Sequence, residues 1–167
     1  SRLVRWQIEP LSLPECLDLA ISNLKTRRLP ETLPQLVLDL PNFLPPVQAD
    51  GEGITEVLIK LLDNACKFTP SSGQITVSAQ ILEQIQMLEV MIIDTGRGIE
   101  PSQLESIFDR FYQEEAFLQR TIGGSGLGLA ICRQIIQSLG GKIWATSAGK
   151  DRGSQFHLHI PIATIML

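Results

Sequence analysis

Gly123-Gly124-Ser125-Gly126-Leu127-Gly128-Leu129 runs directly into an apolar repeat formed by Leu127, Ile131, Ile135 and Leu139. Steps of four place these side chains on one helix face, and Gly140-Gly141 marks the helix end. A glycine loop feeding a helix N-terminus presents unpaired N–H groups and a partial positive charge, which suits a phosphate. Glycine clusters also make ordinary tight turns, so the stretch alone leaves both readings open. Three familiar alternatives fail. No Gly-Lys-Ser/Thr follows, as a nucleotide P-loop would need. The dinucleotide fingerprint wants two residues before its last glycine and finds one. Leu127 stands where a nucleophile elbow around Ser125 would need glycine.

Working outward, 167 residues suffice for one domain with a substantial core. Hydrophobic and charged fractions of 44% and 19% are those of a globular chain. No apolar run approaches the ~18–20 residues that span a bilayer, and no signal-peptide pattern opens the sequence. A net charge of −4 argues against a nucleic-acid partner. Cys16, Cys66 and Cys132 are odd in number and widely spaced, which suits reduced thiols in a cytoplasmic setting.

Towards the N-terminus, a loose alternation over the first eight residues suggests a short edge strand. Ser12 and Pro14 then open a helix to about Arg27, with Leu13, Cys16, Leu17, Ala20, Ile21 and Leu24 as its apolar set. Five prolines between Pro30 and Pro46 exclude a helix there, and Gln35 to Leu40 alternates like a strand. Asp50 caps a second helix running to Phe68, with its core stripe at Ile54, Val57, Leu58, Leu61, Leu62 and Ala65. The same helix carries a polar stripe, Glu56, Lys60, Asn64 and Lys67. Such a stripe is usually a solvated face. Asn64, however, is a poor helix former at mid-helix, and beside Lys67 it makes chemical sense if the stripe faces an anion and its metal.

Two strands follow, Gln74 to Gln80 and Gln86 to Ile93, and the second ends in Asp94-Thr95-Gly96-Arg97-Gly98-Ile99. A short helix is expected over Ser102 to Phe108, and the aperiodic region from Tyr112 to Thr121 reads as a flap leading into the glycine loop. Strands at Lys142 to Ser147 and Ser154 to Ile160 close the chain. His157 and His159 alternate with Phe156, Leu158 and Ile160, so they belong to the face opposite the apolar set. With no third ligand nearby they do not read as a metal pair.

Asn64 on a helix, Asp94-x-Gly96-x-Gly98 after a strand and Gly124-x-Gly126-x-Gly128 before a helix form an ordered set. It closely resembles the ATP-binding catalytic domain of sensor histidine kinases, in the superfamily that includes gyrase, heat-shock protein 90 and the mismatch-repair ATPases. Leu61-Leu62-Asp63-Asn64-Ala65-Cys66-Lys67-Phe68-Thr69-Pro70, Ile107-Phe108-Asp109-Arg110-Phe111-Tyr112 and Gly126-Leu127-Gly128-Leu129-Ala130-Ile131 point to the kinase branch, as does Gly153-Ser154-Gln155-Phe156. The resemblance covers essentially the whole chain. It implies an α+β fold, a two-layer sandwich with a mixed five-stranded sheet covered on one face by three helices (the Bergerat fold). It also implies that residues 1–167 are a single catalytic domain of a larger sensor kinase.

The resemblance further implies roles. Asp94 would accept a hydrogen bond from the adenine amine, Gly96 and Gly98 would let the backbone pass the base, and Ile99 and Leu129 would wall it. Asn64 would ligate the Mg2+ of Mg-ATP, in keeping with that cation's preference for oxygen. Lys67 would neutralise phosphate, Phe68 and Tyr112 would flank the nucleotide, and Gly124, Ser125, Gly126, Leu127 and Gly128 would wrap the phosphates. The implied partners are a phosphoacceptor helical hairpin, N-terminal to Ser1 in the parent, and a response regulator receiver domain. The isolated domain is expected to be a monomer without membrane contact, and the parent a homodimer.

Two residues depart from the family pattern. Lys60 stands where relatives carry a second Asn, and it cannot ligate a metal when charged. Glu56, four residues ahead, is its favoured partner over a phosphate. Gln113 replaces an Arg after the box tyrosine, leaving Arg120 as the substitute guanidinium. These departures keep open an alternative reading, a nucleotide-binding regulatory module without kinase activity. A serine-kinase anti-sigma relative is disfavoured by the phenylalanine box.

Overall fold

The computed structural model describes residues 5–109 and 128–164. Tyr112, Gln113, Arg120, Gly124, Ser125, Gly126 and Leu127 lie outside them, as does the expected flap with its Phe117 and Leu118.

The first two helices start where the sequence supplies a cap. The Ser12 hydroxyl accepts from the Glu15 N–H at 3.3 Å to open α1, Leu13–Arg27. Asp50 Oδ1 accepts from the Gly53 N–H at 2.8 Å to open α2, Gly51–Phe68. α3, Gly128–Ser138, ends before Gly140, whose φ of +83° only glycine adopts readily. The expected stripes of α1 and α2 are all buried, and α3 buries Cys132, Ile135 and Ile136.

The strands are β1 (Ile8–Leu11), β2 (Gln35–Asp39), β3 (Val47–Asp50), β4 (Gln74–Leu82), β5 (Met87–Asp94), β6 (Lys142–Thr146) and β7 (Ser154–Pro161). Five of them form a mixed sheet in the order β2-β4-β5-β7-β6, parallel at β2–β4 and antiparallel elsewhere. β1 and β3 make a separate antiparallel pair. The register aligns Val77, Ile92, Phe156 and Ala145 across one face, and all four are buried beneath the helices. α2 and α3 pack on this face and α1 lies against α2, giving the two-layer α+β sandwich. Among the described residues no helix is long and apolar enough to cross a membrane.

Several expectations need correction. The first strand, expected within the first eight residues, begins only at Ile8 and runs to Leu11, where it pairs with β3. β3 was not foreseen, since four residues between Pro46 and a helix cap carry almost no period. The helix over Ser102 to Phe108 is instead two 3-10 turns, Pro101–Gln103 and Ser106–Phe108. Adjacent Ile107 and Phe108 are both buried, and so short a segment gains little from α-helical propagation. A further 3-10 turn, Pro30–Thr32, sits in the proline-rich stretch, where Pro30 at its start loses no hydrogen bond.

The opposite sheet face carries the two histidines, as alternation requires. His157 is 8% exposed because the Trp144 indole stacks on it at 4.8 Å. Its Nδ1 lies 3.3 Å from Glu89 Oε1 and its Nε2 3.0 Å from Thr146 Oγ1, an arrangement that suits Nδ1–H donating to the carboxylate. His159 Nε2 sits 3.5 Å from Glu89 Oε2, which also accepts from Gln80. Burial alone pushes the Glu89 carboxyl up, but hydrogen bonds from His157 and Gln80 and the neighbouring His159 hold it below its usual value of 4.5. A depressed folded-state value means that Glu89 contributes its full stability above the unfolded value and loses it as pH falls through the folded one. Urea midpoints between pH 6 and pH 3 should therefore fall more steeply for the native chain than for Glu89→Gln. Parallel slopes would show that the carboxylate gives no linked stability.

Candidate functional site

The polar stripe of α2 occupies a half-buried face, with Lys60, Asn64 and Lys67 all partly shielded. Lys60 Nζ lies 3.6 Å from Glu56 Oε1, so it takes the helical partner favoured from spacing. Asp63 accepts from Arg28 at 2.6 Å and faces Lys67 Nζ at 3.8 Å. α2 ends in Phe68, and the Thr69 that follows is buried.

The Asp94–Ile99 turn docks directly on this helix end. The Arg97 N–H donates to the Phe68 carbonyl at 3.2 Å, and the Arg97 guanidinium lies 4.0 Å from the centre of the Phe68 ring. Such an approach needs a missing side chain: a Cβ on Gly96 would run into the Phe68 carbonyl oxygen and Thr69 Oγ1. Gly98 has φ +74°, and a Cβ there would strike the Gly149 carbonyl. From the other side the turn is held by the β6–β7 connection. Gly153 N–H donates to Gly96 O at 3.0 Å, and Ile99 N–H donates to Ser147 Oγ at 3.0 Å.

Asp94 is 6% exposed and opposes Ser154 across β5–β7. Its Oδ1 accepts from the Gly96 N–H at 2.9 Å and its Oδ2 from the Ser154 hydroxyl at 2.6 Å. Each carboxylate oxygen has a second acceptor site, so the group can still receive a donor from a ligand. Against Gly96, whose N–H anchors that carboxylate, Thr69 Oγ1 is buried without a hydrogen-bond partner among the described residues. An unpartnered buried hydroxyl at this turn fits a site that a polar ligand completes.

The structure thus joins the Asp94–Ile99 turn, with its buried Ile99, to Phe68 at the end of the helix on which Lys67 and Asn64 precede it by one and four residues. Leu129 packs against the same core from α3. At Gly128 a Cβ would meet nothing within 4 Å among the described residues, so sterics there do not demand glycine. The thiols take no part. Burial raises Cys66, against the lowering effect of Arg28, and pushes Cys132 up to about 12.

The sequence profile of the histidine kinase-, DNA gyrase B- and HSP90-like ATPases matches residues 49–164. The chain belongs to that family. Within it, the chain is 42% identical over 127 residues to the adaptive-response sensory kinase SasA of Rippkaea orientalis, covering 76% of this chain and 32% of SasA. It therefore spans about a third of the length of the first curated relatives it matches. Among solved structures, the mycobacterial sensor histidine kinase MprB is 26% identical with a TM-score of 0.78, covering 95% of this chain and 99% of that one. Histidine kinase ThkA in complex with the response regulator TrrA is 25% identical with a TM-score of 0.75, covering 93% and 42%. The fold of this chain is that of these solved histidine kinases.

Sequence reading named no role for Thr69, Arg97, Ser147 or Ser154, although Thr69, Arg97 and Ser154 lie within motifs. The signals of Arg97, Ser147 and Ser154 were weak because each acts through a contact with a distant segment. Ser154→Ala should leave Asp94 with one anchor and destabilise the domain by about 1–3 kcal/mol in urea unfolding. Ser154→Thr, which keeps the hydroxyl, should recover most of that loss.

Proposed function

We propose that this chain is one catalytic domain of a larger cytoplasmic-facing sensor kinase. It binds Mg-ATP and passes the γ-phosphoryl to a histidine nitrogen on a separate helical-hairpin domain. The observation that carries the reading is the junction at Phe68. There the Asp94 turn and the Asn64–Lys67 helix end meet around an unpartnered Thr69 hydroxyl.

In this reading Asp94 selects adenine, because a carboxylate accepts from the exocyclic amine and guanine offers a carbonyl at that position. The Gly96 and Ser154 donors keep the carboxylate oriented before the base arrives. Asn64 turns its amide oxygen to the magnesium, whose charge when bound offsets that of the phosphates. Lys67 adds a second positive centre. Lys60, held by Glu56, leaves the metal position to Asn64. Gly124, Ser125, Gly126, Leu127 and Gly128 would cradle the phosphates, with Arg120, Tyr112 and Gln113 in the segment before them. The partners in this reading are a phosphoacceptor hairpin within the parent and a response regulator, a reading supported by the complex of ThkA with TrrA.

Asp94→Asn should weaken ATP binding tenfold to over a hundredfold in calorimetric titration, about 1.5–3 kcal/mol. The turnover test incubates the domain with labelled ATP and the phosphoacceptor hairpin of its own parent. Acid-labile label on the hairpin is expected. Tight ATP binding with no transferred label would favour the regulatory-module reading instead.

A further inference from the structure

Lys67 is read above as a phosphate ligand, yet its Nζ lies 3.8 Å from Asp63 Oδ2, one turn earlier on α2. A free carboxylate at that distance would compete with an anion for the ammonium. Asp63 is not free. Arg28 reaches its Oδ1 with Nη2 at 2.6 Å and Nε at 3.2 Å, and Nη2 also lies 3.4 Å from the Asp63 carbonyl oxygen. Arg27 adds a more distant cation, 3.8 Å from the same Oδ1. Arg28 gets there because it leaves the C-terminus of α1 in extended conformation, φ −128° and ψ 145°, which turns it across towards α2. Side-chain exposures of 23% for Arg28 and 22% for both Asp63 and Lys67 mean that solvent screens this cluster less than an open surface pair.

One carboxylate facing three cations leaves the corner next to Asn64 with surplus positive charge. The geometry is also unequal. The guanidinium makes short, two-nitrogen contact with Oδ1, whereas the ammonium rests beyond hydrogen-bond distance of Oδ2. We propose that Arg28 is a positioning residue for Lys67, acting through Asp63. By holding Oδ1, Arg28 neutralises the carboxylate. Oδ2 then parks the Lys67 ammonium on the Asn64 face without retaining it, and the ammonium moves to the phosphates when nucleotide enters. The proposal rests on the reading of Lys67 as a phosphate ligand. Lysine is unsuited to the Arg28 position because it lacks the planar two-nitrogen fork.

The experiment is calorimetric titration of the whole chain with ATP and, separately, with adenosine. The variants are Arg28→Gln, Asp63→Asn, the double substitution and Lys67→Met. Arg28→Gln should weaken ATP about two- to fivefold while leaving adenosine unchanged, since only the phosphates meet Lys67. In the Asp63→Asn background the same substitution should have almost no effect, because there is no carboxylate left to neutralise. An undiminished effect in that background would overturn the proposal, since it would mean that Arg28 acts on the phosphates by its own charge. Equal weakening of ATP and adenosine would overturn it too, by showing a merely structural role. If Lys67→Met leaves the ATP-to-adenosine ratio unchanged, the phosphate reading of Lys67 fails and takes the proposal with it. If Lys67→Met lowers that ratio and Arg28→Gln does not, the positioning role alone fails. Should Arg28→Gln not fold, Arg28→Lys supplies the same comparison and should weaken ATP by a smaller factor.

Discussion

The site depends on a gap the width of one methyl group. Between the Asp94–Ile99 turn and the end of α2 there is room for a backbone and nothing more, because Gly96 has no Cβ to press on the Phe68 carbonyl. That approach allows the Arg97 N–H to bond to Phe68 O, which joins the sheet end to the helix end. All else at the site inherits this junction. Thr69 Oγ1 lies against Gly96, the Arg97 guanidinium covers the Phe68 ring, and the β6–β7 connection closes over the turn from behind. Backbone bonds on both sides make the turn a rigid platform, so little need be reorganised when a ligand docks.

Charge on α2 is arranged along the helix with similar economy. Glu56 restrains Lys60 within its own helix, and Asp63 faces both Lys67 and the tertiary partner Arg28. The result is a helix face that holds cations in place near Asn64 without cancelling them. Lys60 finds its partner Glu56 one turn away on the same helix.

The far face of the sheet shows another use of polar groups. Glu89 lies between two histidines and beneath Gln80, and Trp144 shields the imidazole beside it. His157 is thereby buried on a face where Gln80, Lys142, Thr146 and Gln155 stay exposed. That arrangement belongs to the sheet's stability, and it stands across the sheet from the Asp94 corner.

The sequence by itself determined what is local. Caps at Ser12 and Asp50, the apolar stripes of α1 and α2 and the alternation of β4, β5 and β7 are written at short range, and each appears where its period placed it. The motif order also singled out Asn64, Lys67, Asp94, Gly96 and Gly98 as candidates, and the Asp94–Ile99 turn docks on the end of the helix that carries the first two. The strand β3 and the two turns before Phe108 escaped because segments of three or four residues carry no usable period. The tertiary structure alone decided which groups support the motifs. Ser154 meets Asp94 across 60 residues of sequence, Ser147 meets Ile99 across 48, and Arg28 meets Asp63 across 35. A hydroxyl or a guanidinium has no spacing rule that reveals a partner so distant. Strand register and the packing of α1 on α2 choose that partner, and those are set by burial of the whole core.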